Sequence, residues 1–258
     1  MAVDWGQRLE AYEKFLCGID LDKYAPLRSI KTVEQDLPKE LLPLDVFYRY
    51  YWDRQDFRNF DEVFKIYWFE KLSPHIYKFI KKYFYGCSIE FVEEGFKARL
   101  YRTWVSILTQ FHFQYLWNAI SEKELISSAE LDAAGIDAIV VWNSKKIGIQ
   151  IKKVSYRREA SSRRFTRRQR NIADVIVEVP YIVDDPEELE EKIHRARRDD
   201  TREKYRKQKM FFDRYLRRLP NGFVIFRPRY IYDVEETIRE YVFGQGQEVV
   251  PYSVFYNM

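Results

Sequence analysis

The sequence predicts an α/β protein in which a small mixed sheet, flanked by helices, follows a mainly helical N-terminal half. Two patterns carry this prediction. From Ser88 to about Ala119, apolar residues recur every three or four positions, as on one face of a long helix. Beyond Glu130, apolar and polar residues alternate instead, and residues 147–151 place three isoleucines on one face of a strand.

The helical half is expected to cover residues 1–125, with a break between two helices at Ser73-Pro74, because proline interrupts helical hydrogen bonding. Residues 126–258 are expected to form the α/β core. Its four predicted strands are "IDAIVVW", "IGIQIKKV", "ADVIVEVPYIV" and "GFVIFRP", and a charged helix over residues 186–218 precedes the last of them. No linker separates the parts, so residues 1–258 are predicted to form a single domain.

Composition excludes several classes of protein. Apolar residues make up 46% of the chain, which is enough to bury a core and argues against disorder. No signal-like segment and no apolar run of membrane-spanning length is present, and two cysteines give no disulfide framework. A cytoplasmic protein that makes no membrane contact is therefore expected. The phosphate-binding pattern GxxxxGK[ST] is missing as well, so we expect no use of ATP.

Positive charge is concentrated in one region. Residues 145–218 contain 23 Lys and Arg against 13 Asp and Glu, whereas the rest of the chain is net negative. In residues 186–218 many acids lie three or four positions from bases, as on an exposed helix. The segment "SYRREASSRRFTRRQRN" differs, because it has seven arginines and one acid, and arginine forks suit phosphates and guanine edges. The predicted DNA-binding residues are Arg157, Arg158, Arg163, Arg164, Arg167, Arg168 and Arg170.

The first two predicted strands bring three polar side chains together. If they form a hairpin around an even-numbered loop (residues 144–145 or 143–146), Asp137 faces Lys152, and Gln150 is the diagonal neighbour of Asp137. These three residues then lie on one face. Lys153 lies on the other face, unless a bulge or an odd-numbered loop shifts the strand. An ordinary hairpin ion pair is the alternative interpretation.

The sequence resembles the PD-(D/E)xK nucleases. Their pattern is an Asp, a spacer, an acid or amide, one further residue and a Lys, which here are Asp137, a twelve-residue spacer and Gln150-Ile151-Lys152. Phosphodiester hydrolysis needs Mg²⁺ to lower the pKa of an attacking water, and Mg²⁺ prefers oxygen ligands. Asp137 and Gln150 are the candidate ligands, and Lys152 can orient the water or stabilise charge on the phosphate. Because Gln150 is neutral, a second carboxylate is wanted. Asp132 is the nearest candidate, although a turn residue before Gly135 is the alternative, and Glu94 is more distant.

Three further stretches resemble the TaqI family of type II restriction endonucleases: "IKTVEQDLPKEL" (30–41), "ARLYRTWVSILTQFHFQYLWNA" (98–119) and "QIKKVSYR" (150–157). The likeness fades after about residue 180. It implies that the two essential aspartates of the family fall on Asp132 and Asp137 and that its catalytic lysine falls on Lys152 or Lys153. It also implies cleavage of TCGA after the T, which leaves 5′-phosphates.

The predicted function is thus Mg²⁺-dependent cleavage of double-stranded DNA at a short palindrome, by a possible homodimer. Two alternatives stay open. A structure-selective repair or junction nuclease would use the same core, and a nucleic-acid-binding module would carry an inactive version of the hairpin.

Overall fold

The computed structural model describes residues 4–154 and 166–256. The chain divides into two compact units: one is Tyr12–Phe111, and the other combines Met1–Ala11 with His112–Met258. Two helices, α1 (Trp5–Cys17) and α5 (Ile89–Ile120), run through the boundaries of these units. In the described parts of the chain, no helix combines the length and apolar character that crossing a bilayer requires.

The unit Tyr12–Phe111 is helical throughout its regular structure. The helical break predicted at Ser73-Pro74 is confirmed, since the turn before it ends at Leu72 and the next helix begins at Ile76. Its elements between α1 and α5 are the 3₁₀ helices Asp22–Arg28 and Lys39–Leu41, α2 (Leu44–Phe47) with the π-helical turn Tyr48–Asp53, α3 (Phe60–Tyr67) with the π-helical turn Trp68–Leu72, and α4 (Ile76–Tyr83).

The long helix α5 confirms the helix predicted from Ser88 onwards, and it anchors this unit. Two of its arginines reach an extended stretch near the N-terminus: Arg99 donates a hydrogen bond to the Gln35 carbonyl, and Arg102 donates one to the Ile30 carbonyl. Carbonyl groups outside helices and strands need such partners when they are removed from water. The stretches 30–41 and 98–119 therefore contact each other directly.

The second unit contains a mixed five-stranded sheet, as predicted. The strands run in the order β1-β2-β3-β4-β7, antiparallel from β1 to β3 and parallel from β3 to β7. A separate antiparallel pair, β5 and β6, completes the strands of the described chain. Their bounds are β1 (Leu125–Ile126), β2 (Ala138–Trp142), β3 (Lys145–Lys153), β4 (Val175–Tyr181), β5 (Leu216–Arg218), β6 (Val224–Phe226) and β7 (Val249–Val250).

Two details of the predicted core are wrong. The "GFVIFRP" strand, β6, pairs with β5 and does not join the five-stranded sheet. The charged segment 186–218 is also not one helix, because the chain leaves helical geometry at Ala196 and the resulting helices pack against each other.

The helices of this unit are α6 (Ala129–Ala133), α7 (Arg167–Arg170), α8 (Pro186–Arg195), α9 (Asp199–Tyr215) and α10 (Pro228–Thr237). The π-helical turn Ile238–Gly244 continues α10, and a 3₁₀ helix covers Tyr252–Tyr256.

The hairpin between β2 and β3 has an even-numbered loop, but its register is two residues away from the predicted one. Asn143 and Ser144 both have positive φ angles, of 48° and 64°, as a two-residue hairpin turn requires. Trp142 consequently pairs with Lys145, and the register continues to Ala138 opposite Ile149. Asp137 lies just before this paired stretch, and its N–H donates a 3.0 Å hydrogen bond to the Ile149 carbonyl. The shift is an even number, so the paired side chains of β2 and β3 keep their predicted faces.

The two faces of β3 have different surroundings. Ile147, Ile149 and Ile151 are buried in the large apolar cluster of the unit, which also includes α5 and α10 residues. Gly148 faces the opposite way, into a small apolar cluster of Ile136, Ala173 and Ile176. Beyond Gly148 on this second face come Gln150 and Lys152, which remain partly exposed. The second face is thus buried at Gly148 and becomes accessible to solvent at Gln150 and Lys152.

Replacing Gly148 by valine should destabilise the fold by about 1–3 kcal/mol, because overpacking a filled site forces its neighbours to move. A Cβ at this position would lie 2.7 Å from Ile176 Cδ1 and 3.1 Å from Ile136 Cγ2. Urea unfolding of both proteins measures the effect. The control is Gly6→Ala in α1, where the new Cβ meets only ordinary contact at 3.4 Å and a modest gain in stability is expected. A Gly148→Val protein as stable as the parent would contradict the packing described.

Candidate active site

Asp137 immediately precedes β2 and is held by backbone and side-chain contacts. Its carboxylate accepts a hydrogen bond from the Ile151 N–H of the neighbouring strand. Its carbonyl oxygen accepts two more, from Gln114 Nε2 at 3.1 Å and from Ser127 Oγ at 2.5 Å. Gln114 is fully buried in α5. These contacts fix both the main chain and the side chain of Asp137.

Asp132 lies near enough to Asp137 for its charge to act on that carboxylate. It belongs to the short helix α6, whose N-terminus is capped by the Ser128 side chain, which accepts from the Leu131 N–H. Burial raises the pKa of Asp137 well above its usual range, and the negative charge of Asp132 raises it further. The Ile151 N–H and the Lys152 ammonium act in the opposite direction. The two negative charges thus oppose each other, and a nearby positive charge would relieve this repulsion.

The carbonyl oxygen of Gly135 joins the site to the arginine-rich segment. It accepts one hydrogen bond from Gln150 Nε2 and a second, of 3.0 Å, from Gln169 Nε2. Gly135 has a φ of +82°, which residues with a Cβ rarely adopt, and a Cβ there would lie 3.1 Å from Gln169 Nε2. Gly135 is thus the position where the chain can both turn and receive two amide groups.

The two candidate lysines point in different directions. Lys152 shares its face with Gln150 and forms an ion pair with Glu178 of β4. Lys153 is the next residue of the strand and is exposed. Because successive side chains of a strand alternate between faces, Lys152 is the lysine that lies with Asp137 and Gln150.

The predicted DNA-binding arginines divide into two groups. Arg157, Arg158, Arg163 and Arg164 lie outside the described residues. Arg167, Arg168 and Arg170 are exposed on α7, while Gln169 between them is buried and bonded to Gly135. By contrast, α8 and α9 carry many charge pairs within one helix turn, such as Arg195–Glu191 at 3.0 Å, as expected for exposed helices.

Comparison with known proteins assigns the family. The sequence pattern of the TaqI restriction endonucleases matches residues 9–238. The chain belongs to the TaqI restriction endonuclease family. It is 50% identical over 233 residues to the type II restriction enzyme TaqI of Thermus aquaticus, which covers 88% of this chain and 86% of that one. It is 49% identical over 238 residues to the type II restriction enzyme TthHB8I of Thermus thermophilus, which covers 90% and 88%.

No solved structure matches the chain. The family match confirms the predicted resemblance and continues past residue 180, where the likeness had faded by inspection, to residue 238. This TaqI-family protein is therefore a type II restriction endonuclease, a site-specific hydrolase of DNA. Enzymes of this type generally need a divalent metal.

The side chains present fit a divalent metal that retains much of its hydration. Among the described residues, no three His, Cys, Asp or Glu side chains form a group that could hold a metal ion. Asp132 and Asp137 are a carboxylate pair, and Gln150 can add an amide oxygen. Mg²⁺ is commonly bound by one or two carboxylates together with waters and phosphate oxygens, so this small set is sufficient for it.

Two residues of this TaqI-family site were missed in the sequence. Glu178 is a buried acid opposite Gln150 in the parallel register of β3 and β4, and its signal was a single charged residue within "VIVEVPY". Gln114 braces the Asp137 carbonyl, but inside an apolar helix it could not be told from an ordinary polar residue. Both contacts depend on which elements pack together.

Asp137→Asn should raise the thermal stability of the metal-free enzyme at neutral pH. Because the folded-state pKa of Asp137 lies above the unfolded value, its favourable contribution is complete at low pH and is lost as pH rises through the folded-state pKa. The gain should therefore be present at neutral pH and disappear near pH 4. One kcal/mol corresponds to about 2–4 °C in a chain of this size, so calorimetry resolves it.

Asp199→Asn is the matched control, because the Asp199 side chain is 95% exposed, and its substitution should change stability by less than about 0.5 kcal/mol. If the Asp137→Asn protein melts at or below the parental temperature at neutral pH, the charge of Asp137 does not destabilise the folded enzyme and the expectation is wrong.

Proposed function

We propose that this enzyme hydrolyses double-stranded DNA at the palindrome TCGA, cutting after the T and leaving 5′-phosphate ends, with Mg²⁺ as its metal and without ATP. The observation that supports the chemistry is that the charges of Asp132 and Lys152 both act on the buried Asp137 carboxylate, while Gln150 donates a hydrogen bond to the Gly135 carbonyl, two residues before Asp137. The choice of TCGA is supported by the resemblance to the TaqI family.

Asp132 and Asp137 are proposed to hold the metal. A Mg²⁺ held by these carboxylates would lower the pKa of an attacking water. The protein prepares for this by burying Asp137 and fixing its carboxylate through the Ile151 N–H. Gln150 uses its amide nitrogen to bind the Gly135 carbonyl, and its amide oxygen is the proposed third protein ligand.

Lys152 is proposed as the catalytic lysine. Its ammonium group is close enough to Asp137 to lower the pKa of that carboxylate, and it lies on the face that carries Gln150. A fixed positive charge at this position stabilises the negative charge that develops on the phosphate as water attacks. Lys153, exposed on the other face, is not proposed to take part.

The arginine-rich segment is proposed to bind the DNA. Arg167, Arg168 and Arg170 are exposed on α7, which Gln169 fastens to the Gly135 carbonyl beside the proposed metal ligands. Arginine forks can contact phosphates or the guanine edges of the two central C·G pairs. A palindrome presents the same phosphate on each strand, related by a twofold axis, so a homodimer on DNA would supply one site for each cut.

The proposal is tested by digesting DNA of known sequence with Mg²⁺ and, separately, with EDTA, in the absence of ATP, and then sequencing the product ends. We expect discrete fragments with 5′-phosphates at TCGA sites and no cleavage in EDTA. Ends that map to another palindrome would overturn TCGA but leave the endonuclease chemistry. Failure to cut under any divalent metal would overturn both.

Lys152→Ala should lower the single-turnover cleavage rate by about 100-fold or more, as removal of one fixed charge-stabilising group does. Lys153→Ala, its matched neighbour, should retain a rate within about tenfold of the parent. Lys153→Ala should melt near the parental temperature, whereas Lys152→Ala should melt lower, because buried Glu178 loses its ion-pair partner. The rates are therefore compared at a temperature at which circular dichroism shows both variants to be folded, which separates a catalytic loss from misfolding. If the Lys153 variant is the inactive one, the face assignment of the two lysines is wrong.

Arg167 and Arg168 should contribute to the salt dependence of DNA binding. Each phosphate contact that is lost flattens the plot of log affinity against log salt by about 0.9, so Arg167→Gln with Arg168→Gln should reduce its slope by up to about 2. Fluorescence anisotropy on non-cognate duplex DNA without metal measures it. Arg195→Gln in α8, an exposed arginine paired with Glu191, is the control and should leave the slope unchanged. An equal effect of both variants would place the DNA-binding surface elsewhere.

A further inference from the structure

Glu178 is a carboxylate in the middle of a strand whose residues are all buried. Only 1% of its surface is exposed, and its neighbours along β4 are Val177 and Val179. Burying an ionised carboxylate is costly unless ion pairs and hydrogen bonds compensate for the lost water. The partners of Glu178 therefore indicate what it does.

Both oxygens of Glu178 have partners, and these come from two different segments. Oε1 accepts a hydrogen bond from the ammonium group of Lys152, and Oε2 accepts one of 3.2 Å from the backbone N–H of Tyr252. Glu178 also lies directly opposite Gln150 in the parallel register of β3 and β4. It thus belongs to the face of the sheet that carries the active site.

The ion pair restricts a side chain that is otherwise flexible. A lysine has four rotatable bonds, and an unrestrained ammonium group samples many positions. The Lys152 side chain is only 19% exposed, and its charged end is bound to a carboxylate that cannot itself move freely, because Glu178 is surrounded by protein. Its ammonium group is thereby held in one place before substrate arrives, as efficient electrostatic catalysis requires.

The second oxygen is held by the C-terminal part of the chain. Strand β7 extends the sheet beside β4, and the 3₁₀ helix that begins at Tyr252 follows it. The Tyr252 N–H lies at the start of this helix, where backbone donors have no partner within the helix itself. These residues lie beyond 9–238, the range that matches the family.

We propose that Glu178 is a positioning residue that fixes the ammonium group of Lys152 in the active site, and that the backbone N–H of Tyr252 holds Glu178 in that orientation. This inference rests on the proposed catalytic role of Lys152. It assigns a function to a buried acid on β4 and to the C-terminal segment, and it requires no contact between Glu178 and the DNA or the metal.

The first test is Glu178→Gln, which keeps the size of the side chain and removes its charge. We expect a loss of about 100-fold in the single-turnover cleavage rate at saturating Mg²⁺, as a small displacement of a reacting group can cause. DNA affinity, measured without cleavage in the absence of metal, should stay within about threefold. A parental rate for Glu178→Gln would overturn the proposal. The proposal would also be overturned if Glu178→Gln recovered the full rate at Mg²⁺ concentrations above those that saturate the parent, because Glu178 would then act on the metal.

A double-mutant cycle separates positioning from a general structural effect. In a Lys152→Met background there is no ammonium group to position, so adding Glu178→Gln should change the residual rate by less than about threefold. The same cycle in thermal unfolding should show that Glu178→Gln destabilises the parent more than it destabilises Lys152→Met, because only the parent retains a charge without its partner. Equal effects of Glu178→Gln in both backgrounds would overturn the proposal.

The role of the C-terminal segment is tested with two substitutions at one position. Tyr252→Pro removes the N–H that binds Glu178, at a helix start where proline is tolerated, and Tyr252→Ala removes only the side chain. The proline variant should cleave roughly threefold to tenfold more slowly than the alanine variant, the effect of one hydrogen bond. Equal rates would overturn this part of the proposal.

The outcomes also distinguish this inference from the function on which it rests. If Lys152→Ala cleaves at the parental rate, the proposed role of Lys152 fails, whatever Glu178→Gln does. If Lys152→Ala is inactive and Glu178→Gln is fully active, the catalytic role stands and the positioning role fails.

Discussion

The two-residue turn between β2 and β3 determines which side chains meet at the active site. Positive φ angles at Asn143 and Ser144 close the hairpin as tightly as a chain can, and the register follows from that closure. A slip of one residue would turn Gln150 and Lys152 into the apolar core and expose the isoleucines, which the hydrophobic effect strongly opposes. The turn and the alternating pattern together bring the end of β3 to Asp137, whose N–H donates to the Ile149 carbonyl and whose carboxylate accepts from the Ile151 N–H.

The Gly135 carbonyl determines where helix α7, part of the proposed DNA-binding surface, is attached. A single oxygen accepts the amide groups of Gln150 and Gln169, one from the central strand and one from the arginine-bearing helix α7. A displacement of α7 would therefore be felt at Gln150 through one shared acceptor. This shared acceptor connects the helix proposed to bind DNA with a proposed ligand of the metal.

The proposed active site contains two buried carboxyl groups, which oppose folding. Asp137 and Glu178 are both removed from water, and the first also lies near the negative charge of Asp132. Such groups are common where catalysis needs them and rare elsewhere, because each one opposes folding. The apolar face of β3, the strand between them, compensates, since Ile147, Ile149 and Ile151 lie in the large apolar cluster. On β3, alternate residues thus face the apolar cluster and the proposed active site.

The sequence by itself determined the elements whose signal is local. Helical periodicity located α5, the proline at 74 located a helical break, and alternation assigned Gln150 and Lys152 to one face of β3. The stretches shared with the TaqI family identified the class of enzyme. The predicted faces of Gln150 and Lys152 were right although the predicted hairpin register was wrong by two residues, because side chains of a strand return to the same face every two residues.

Tertiary structure decided everything that depends on contacts between distant segments. The pairing of Glu178 with Lys152, the bond from Tyr252 to Glu178 and the bracing of Asp137 by Gln114 join residues 26, 74 and 23 positions apart. A local pattern cannot reveal such pairs, because a lone acid in an apolar strand or a lone amide in an apolar helix has the same appearance whatever it contacts. The packing of the sheet, driven by burial of its apolar face, is what brings these polar groups to a common site.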